Sequence, residues 1–448
     1  MGNRSFFCAV FLLIFFSFKL EAKTSIDRAT VSMYAVHIPT GKVLISENSQ
    51  KSLMPASCLK LITTAAALHL LGPKMRFETH LSYDGKIESG VLDGNLYVVG
   101  GGDPCLGSNR INSSLDWKLQ IATWIEAIQK LGIIQINGEI IGDSSSWEKA
   151  LAAPSWTWED LGNYYGAGAS ALSFHENAYS LFFKPGVLEG EKATILKVEP
   201  DFSKLVLKNE VTTGPEGSGD RACIYGSEFS FIQYVRGTVP LGVAEFSIQG
   251  LIPDPALVCS ELLENSLKEK GVLVQHQVKA EKEKRVFHTT KSPSVEEIVH
   301  LTNQKSINLY AEHLLKKMGE VCEGEGSSIA GIKAVKKFLK AKGIDLDGLL
   351  LADGSGLSTR NLITTEQLVA LLIVMKKSEF FTLFLESLPE PKEFIRAKSG
   401  SSTLIKGYAG YSNDIAFAIL INQCADSQSV KEKIDSFLSI ISKNKIPS

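Results

Sequence analysis

Pro55-Ala56-Ser57-Cys58-Leu59-Lys60 runs directly into Leu61-Ile62-Thr63-Thr64-Ala65-Ala66-Ala67-Leu68. The stretch reads as the start of an amphipathic helix. Pro55 suits the chain just ahead of a first turn, and the Ala and Leu residues that follow are strong helix formers. Gly72-Pro73 ends it. Ser57 and Lys60 stand at i and i+3, so they share one helix face. Leu61, Leu68 and the alanines are left to bury the other faces. A hydroxyl at a helix start with an amine beside it is a nucleophile arrangement. A lysine kept neutral by burial can take the serine proton, and the first N–H groups of the helix can hold an oxyanion.

Outward from this helix the chain changes character twice. Before it, Thr30 to His37 and Lys42 to Ile45 flank the turn Pro39-Thr40-Gly41 and read as a β-hairpin. His37 in such a strand reads as a structural histidine. After Gly72, from about residue 76 to about residue 278, many short β-like runs such as Leu96-Tyr97-Val98-Val99 are broken by Gly, Asp and Asn. Two helical patterns interrupt them, Trp117 to Lys130 and Ala256 to Lys270. Gly100-Gly101-Gly102-Asp103-Pro104 lacks the Gly-Lys-Ser/Thr ending of a phosphate loop and reads as a tight turn. Helical periodicity returns at Val295 to Leu301, Ser306 to Met318 and Ile329 to Lys342. A further helix over Thr365 to Met375 is capped by Thr364 or Thr365. Glu393 to Lys398 and Ala416 to Asn422 read as strands, and Val430 to Lys443 as a closing helix. The fold class is therefore α/β. One domain formed by residues 23–85 and 286–448 is split by a β-rich insertion over 86–285, itself expected to form two small domains.

Composition narrows the function classes. The chain has 448 residues, 44% hydrophobic and 21% charged, with net charge −2. It can bury large cores, and nothing in the charge favours nucleic acid or an anionic membrane. Arg4, the apolar run Phe6 to Phe18 and Leu20-Glu21-Ala22 predict a secretory signal over residues 1–22, too short to span a bilayer comfortably. Export then follows, with no membrane span after cleavage. Cys58, Cys105, Cys223, Cys259, Cys322 and Cys424 remain, an even count that permits disulfides without requiring them. Cys58, next to Ser57, reads as buried packing. The eight histidines are scattered, which argues against a metal site. No cofactor is implied.

Three short motifs occur in order: Ser57-Cys58-Leu59-Lys60, Ser306-Ile307-Asn308 and Lys398-Ser399-Gly400. Singly they are weak. Ser146-Trp147-Glu148-Lys149 also matches the first, and Ser46-Glu47-Asn48 and Ser442-Lys443-Asn444 match the second. Lys-Ser/Thr-Gly occurs once. Order, the helix context of the first and the strand context of the last make the set specific. With these motifs the chain resembles the serine penicillin-recognising enzymes. Ser306 follows Ser57 by 249 positions, a long gap. That gap resembles the DacB-type D-alanyl-D-alanine carboxypeptidases, the S13 peptidase family also called penicillin-binding protein 4. Asp93 through Tyr97, Gly100 through Pro104, Asn303 through Glu312 and Asp353 through Ser358 are similar to that family too.

The resemblance implies a penicillin-recognising, β-lactamase-like catalytic domain acting on peptidoglycan stem peptides in the periplasm, with β-lactams as inhibitors. It makes Ser57 the acylated nucleophile and Lys60 its base. Ser306 would relay a proton to the leaving D-alanine, and Asn308 would position Lys60 and a substrate carbonyl. Lys398 and Ser399 would hold the terminal carboxylate. Gly400 would let the strand approach the substrate, and the N–H groups of Ser57 and Ser401 would form the oxyanion hole. Asp160, after the aromatic run Trp156-Thr157-Trp158, would pair with the amine of the substrate's diamino acid. The chain departs from the family in having Lys-Ser-Gly-Ser for the usual Lys-Thr-Gly-Thr, and Thr359 where arginine is common. A β-lactamase of the same fold and a non-catalytic wall-binding scaffold are the competing readings. The inserted domains argue against the first, and three intact motifs against the second.

Overall fold

The computed structural model describes residues 26–277, 279 and 283–443. The signal segment over 1–22 lies outside the described residues.

The two ends of the chain build one antiparallel sheet. Its strands stand in the order Ile395–Ser402, Ile405–Ser412, Ile415–Asn422, Thr30–His37, Lys42–Glu47. The hairpin read from the sequence is its far edge. Strand Ile415–Asn422 is buried along its whole length and carries apolar side chains on both faces. Alternation divides them. Phe417, Ile419 and Ile421 pack with Val430, Ile434 and Phe437 of the closing helix, Ser427–Lys443. Ala416, Ala418 and Leu420 face the other layer with Leu68, Leu371 and Leu372. That layer holds helices Lys60–Leu70, Val295–Gln304, Asn308–Glu323, Ser328–Ala341 and Thr365–Lys376. Thr364 caps the last of these in a reciprocal bond with Gln367.

Several elements escaped the sequence reading, strand Arg285–Ser294 and the short helix Trp158–Leu161 among them. Strand Ile405–Ser412 is interrupted by Gly407 and Gly410, which weaken a strand pattern, and its pairing on both sides supplies what propensity does not. The short helix Phe381–Ser387 is seven residues, below the length at which periodicity is readable.

The middle of the chain forms four small sheets and the helices Trp117–Lys130 and Pro255–Glu269 around a separate apolar cluster centred on Trp124, Tyr179 and Leu263. Strands Arg76–Tyr83 and Arg285–Ser294 pair antiparallel, so the chain leaves for this region and returns from it side by side. Among the described residues, no helix is long and apolar enough to cross a membrane.

Candidate active site

Ser57 lies in a 3-10 turn, Ala56–Leu59, and the α-helix begins only at Lys60. This refines the expectation of a plain helix start, and it has a geometric consequence. In a 3-10 turn the side chains at i and i+3 eclipse. Lys60 Nζ accordingly stands 3.0 Å from Ser57 Oγ. Ala56, at φ 45°, makes the sharp entry into the turn. The turn is pressed from two sides by glycines. A Cβ on Gly356 (φ +82°) would lie 1.9 Å from the Ala56 carbonyl oxygen, and one on Gly400 would lie 2.5 Å from that of Pro55. The close approach at Gly400 is therefore to the turn that carries Ser57.

Lys60 is fully buried and donates to two further acceptors, Asn308 Oδ1 at 2.6 Å and the Ser355 carbonyl at 2.8 Å. A neutral amine has two N–H donors and one lone pair. With both donors taken by Asn308 and Ser355, the lone pair faces the Ser57 hydroxyl. Burial first, and then the charge of Lys398, bring the Lys60 amine down to about 7, against the opposing pull of Asp353, Glu312 and Cys58. The amine is thus available as a base near neutral pH. Cys58 is buried with its thiol pushed up to about 12, mainly by desolvation, and packs inertly as read.

The other two motifs converge on this pair. Asn308 opens helix Asn308–Glu323, and its Nδ2 donates to the Tyr165 carbonyl at 2.8 Å, which fixes the amide with Oδ1 toward Lys60. Ser306 sits just before that helix in the left-handed region, φ 58°. Its Oγ accepts from Lys398 Nζ at 2.9 Å, and the same ammonium donates to the Ser399 carbonyl at 2.8 Å. Lys398 is 1% exposed, and burial lowers its amine to about 8. Strand Ile395–Ser402 is an edge of the sheet, with Ser399 half-buried and Ser401 exposed. Lys406 Nζ donates to Ser401 Oγ.

Asp160 bonds within its own turn. Its carboxylate accepts from Thr157 N and Oγ1 and caps its own short helical turn, Trp158–Leu161. It is near enough to Tyr165 for its charge, after burial, to raise that phenol. The aromatic patch divides: Trp156 is buried and donates to Asp353, whereas Trp158 and Tyr164 are exposed. Thr359 and Arg360 are both exposed. Among the described residues, Cys58, Cys105, Cys223, Cys259 and Cys322 are free thiols.

The sequence reading missed the support behind Lys60. Glu312, buried, accepts from Gly354 N and Ser355 N, and so holds the carbonyl that Lys60 uses. Burial and the neighbouring Asp353 raise its carboxyl to about 7. Asp353 accepts from Gly356 N, Ser358 N, Asn361 Nδ2 and Trp156 Nε1. One signal was available, since Glu312 lies four residues after Asn308 and shares its helix face.

Gly356→Ala tests the pressed turn. A left-handed alanine costs about 1–2 kcal/mol by itself, and here Ala56 must also move. The variant should melt lower and its Ser57 should acylate more slowly. Gly324→Ala is the control, at φ +80° with nothing within 4 Å of the added carbon. It should lose stability alone. Unchanged acylation in Gly356→Ala would sink the idea that this contact holds the nucleophile.

A model of the D-Ala-D-Ala carboxypeptidase 3 (S13) family matches residues 19–442. A D-alanyl-D-alanine carboxypeptidase of an Actinomadura species is 27% identical over 89% of this chain and 78% of its own. The crystal structure of penicillin binding protein 4 (dacB) from Haemophilus influenzae superposes with TM-score 0.79 at 22% identity, covering 93% of this chain and 97% of that one. The same protein complexed with a β-lactam superposes with TM-score 0.73 at 20% identity, covering 93% and 96%.

Proposed function

The chain belongs to the D-Ala-D-Ala carboxypeptidase 3 (S13) family, and from that premise we propose that it is an exported serine D,D-carboxypeptidase that also acts as a D,D-endopeptidase on peptidoglycan stem peptides through a Ser57 acyl-enzyme that β-lactams trap. The observation that carries this reading is the bond between Ser57 and a buried Lys60 whose amine burial brings down to about 7, with two further acceptors, Asn308 and Ser355, holding its donors.

The proposed steps use the residues in the roles that the family resemblance implies. The D-Ala-D-Ala end lies along the outer side of strand Ile395–Ser402, its carboxylate against Lys398 and the Ser399 hydroxyl. Lys60 takes the Ser57 proton as Oγ attacks the penultimate carbonyl carbon. The N–H groups of Ser57 and Ser401 hold the oxyanion. The C–N bond breaks, and the proton passes from Lys60 through Ser306 to the departing nitrogen. The products are free D-alanine and the Ser57 ester. Water then cleaves the ester and restores the hydroxyl. A penicillin opens on the same serine, but its leaving nitrogen stays tethered and the ester persists.

Asp160 is assigned to the amine of the diamino acid, since the run that contains it also supplies the Tyr165 carbonyl to Asn308. Residues 86–285 are read as the inserted region; the strands at its two ends, Arg76–Tyr83 and Arg285–Ser294, pair with each other, and their sheet continues into it through Leu96–Val99 and Ile140–Asp143. Serine in Lys-Ser-Gly-Ser keeps the hydroxyl and gives up only the methyl that restrains its rotamer.

The test is release of D-alanine from a pentapeptide ending in D-Ala-D-Ala, blocked by penicillin, across pH. Lys60 must be neutral, so the rate falls as pH drops below about 7. Lys398 must be charged to hold the carboxylate, so the rate falls as pH rises above about 8. A narrow bell for kcat/KM between these limits is expected. No release at any pH by folded enzyme would refute the assignment.

A further inference from the structure

Lys316 is 1% exposed, and the acyl-transfer steps make no use of it. It lies on helix Asn308–Glu323, about two turns beyond Asn308. Its Nζ donates to the Ala150 carbonyl at 2.6 Å and to the Ala169 carbonyl at 3.0 Å, and meets Glu148 Oε1 at 3.2 Å. An ammonium survives such burial only when partners of this kind surround it.

The two carbonyls are the ends of one loop. Ala169 N donates to the Leu151 carbonyl at 2.9 Å, so residues 150–169 leave and return through a closed neck. The neck has no slack. A Cβ on Gly168 would lie 2.3 Å from the Leu151 carbonyl carbon and 2.6 Å from Ala152 N. Glu228 Oε2 accepts from Leu151 N at 2.6 Å and from Ala152 N at 3.0 Å, which holds the first leg of the loop. Lys316 ties both legs to the helix.

Beyond the neck, the loop meets the site at three points. The Tyr165 carbonyl, four residues before Ala169, accepts from Asn308 Nδ2 at 2.8 Å. Trp156 Nε1 donates to Asp353 at 2.9 Å, and Ser155 Oγ stands 2.6 Å from Ser358 Oγ. The last two contacts join the loop to the turn whose Ser355 carbonyl accepts from Lys60. Asn308 and Lys316 therefore grip the same leg of the loop from one helix. Among the described residues, the Tyr165 carbonyl is the one acceptor of Asn308 Nδ2. Without it the amide is free to turn, and its Nδ2 would then confront the donors of Lys60.

We infer that Lys316 is a positioning residue for acylation: by closing the neck of loop 150–169 it holds the Tyr165 carbonyl in place for Asn308, and so keeps the Asn308 oxygen on Lys60 and Lys60 on Ser57. The inference rests on the acyl-transfer reading above and extends the machinery of that site to a cation two helical turns away. Lys316 acts through Asn308. A lysine that only stabilised the loop would have no such link.

The test is a double-mutant cycle on the rate of penicillin acylation, read by intact mass, with a thermal melt of each protein. Lys316→Met should slow acylation about tenfold when Asn308 is present. In an Asn308→Ala background, itself slow, the same substitution should change the rate by less than about twofold, while the melting temperature falls as much as before. Gly168→Ala is the second lesion. It wedges the neck with Lys316 in place, and it should repeat the pattern: slower acylation with Asn308 present, no further loss without it. Equal losses in both backgrounds would make Lys316 a structural cation only. Acylation at the unmodified rate in Lys316→Met would overturn its role outright. If Lys316→Met does not fold, Gly168→Ala decides by the same outcomes. An unmodified protein that folds but neither takes up penicillin nor releases D-alanine would instead bring down the acyl-transfer reading itself.

Discussion

Ser57→Ala should take up no penicillin, while the unmodified protein should gain the mass of one, mapped by digestion to the peptide containing residue 57. The expected loss is complete, because a methyl group has no lone pair to form the ester. The fold should survive. Ser57 is half-buried, and its hydroxyl bonds to Lys60, which keeps Asn308 Oδ1 and the Ser355 carbonyl as partners. Intact-mass measurement of both proteins, beside a thermal melt, decides the matter. An adduct on Ser57→Ala would move the nucleophile elsewhere. The absence of an adduct on folded unmodified protein would leave fast hydrolysis or an inactive site, and consumption of the penicillin in solution separates these. Turnover of the drug is what the β-lactamase reading requires, and no reaction at all is what the scaffold reading requires.

Lys60→Met should lower the acylation rate by about 10²–10⁴-fold, the range that a positioned base contributes. Methionine nearly matches the stem of lysine but leaves no basic nitrogen at Ser57. It also strips two buried acceptors of their donor, at about 1–3 kcal/mol each, so the melting temperature should fall as well. The informative readout is the pH profile of penicillin acylation. The limb near pH 7 belongs to Lys60 and should vanish, because the titrating amine is gone. A destabilised enzyme that still used some other base would keep a limb. Acylation at the unmodified rate, or a limb persisting near pH 7, would show that Lys60 is not the base.

Much of the site was readable because its parts are local. The 3-10 turn and helix that carry Ser57 and Lys60 obey short-range rules: proline before the turn, helix formers after it, a glycine stop at Gly72. The cap was narrowed to Thr364 or Thr365 from its own neighbourhood, and the edge hairpin was read from its turn. The three motifs could be ordered because each occupies a few consecutive residues in a readable helix or strand context. Even the identity of Cys58 as packing followed from its place beside Ser57.

What the sequence could not decide is how far apart those pieces lie in space, and every property of the base depends on that. Lys60 meets Asn308 across 248 positions and Ser355 across 295. Its lowered basicity comes from desolvation, which exists only after helices and sheet close over it. The Tyr165 carbonyl, the Glu312 carboxylate behind Ser355 and the pressure of Gly356 on Ala56 are contacts between distant segments that leave no periodic trace. Strand Ile405–Ser412 is a strand because two neighbours pair with it, against its own glycines. Local chain stiffness and capping bonds act within a turn or two, so sequence alone located the helix beside Ser57, while the 3-10 turn that carries Ser57 came with the structure. Burial and long-range hydrogen bonds act between segments hundreds of residues apart, so only the tertiary structure decided that Lys60 stands dry, held and aimed at Ser57.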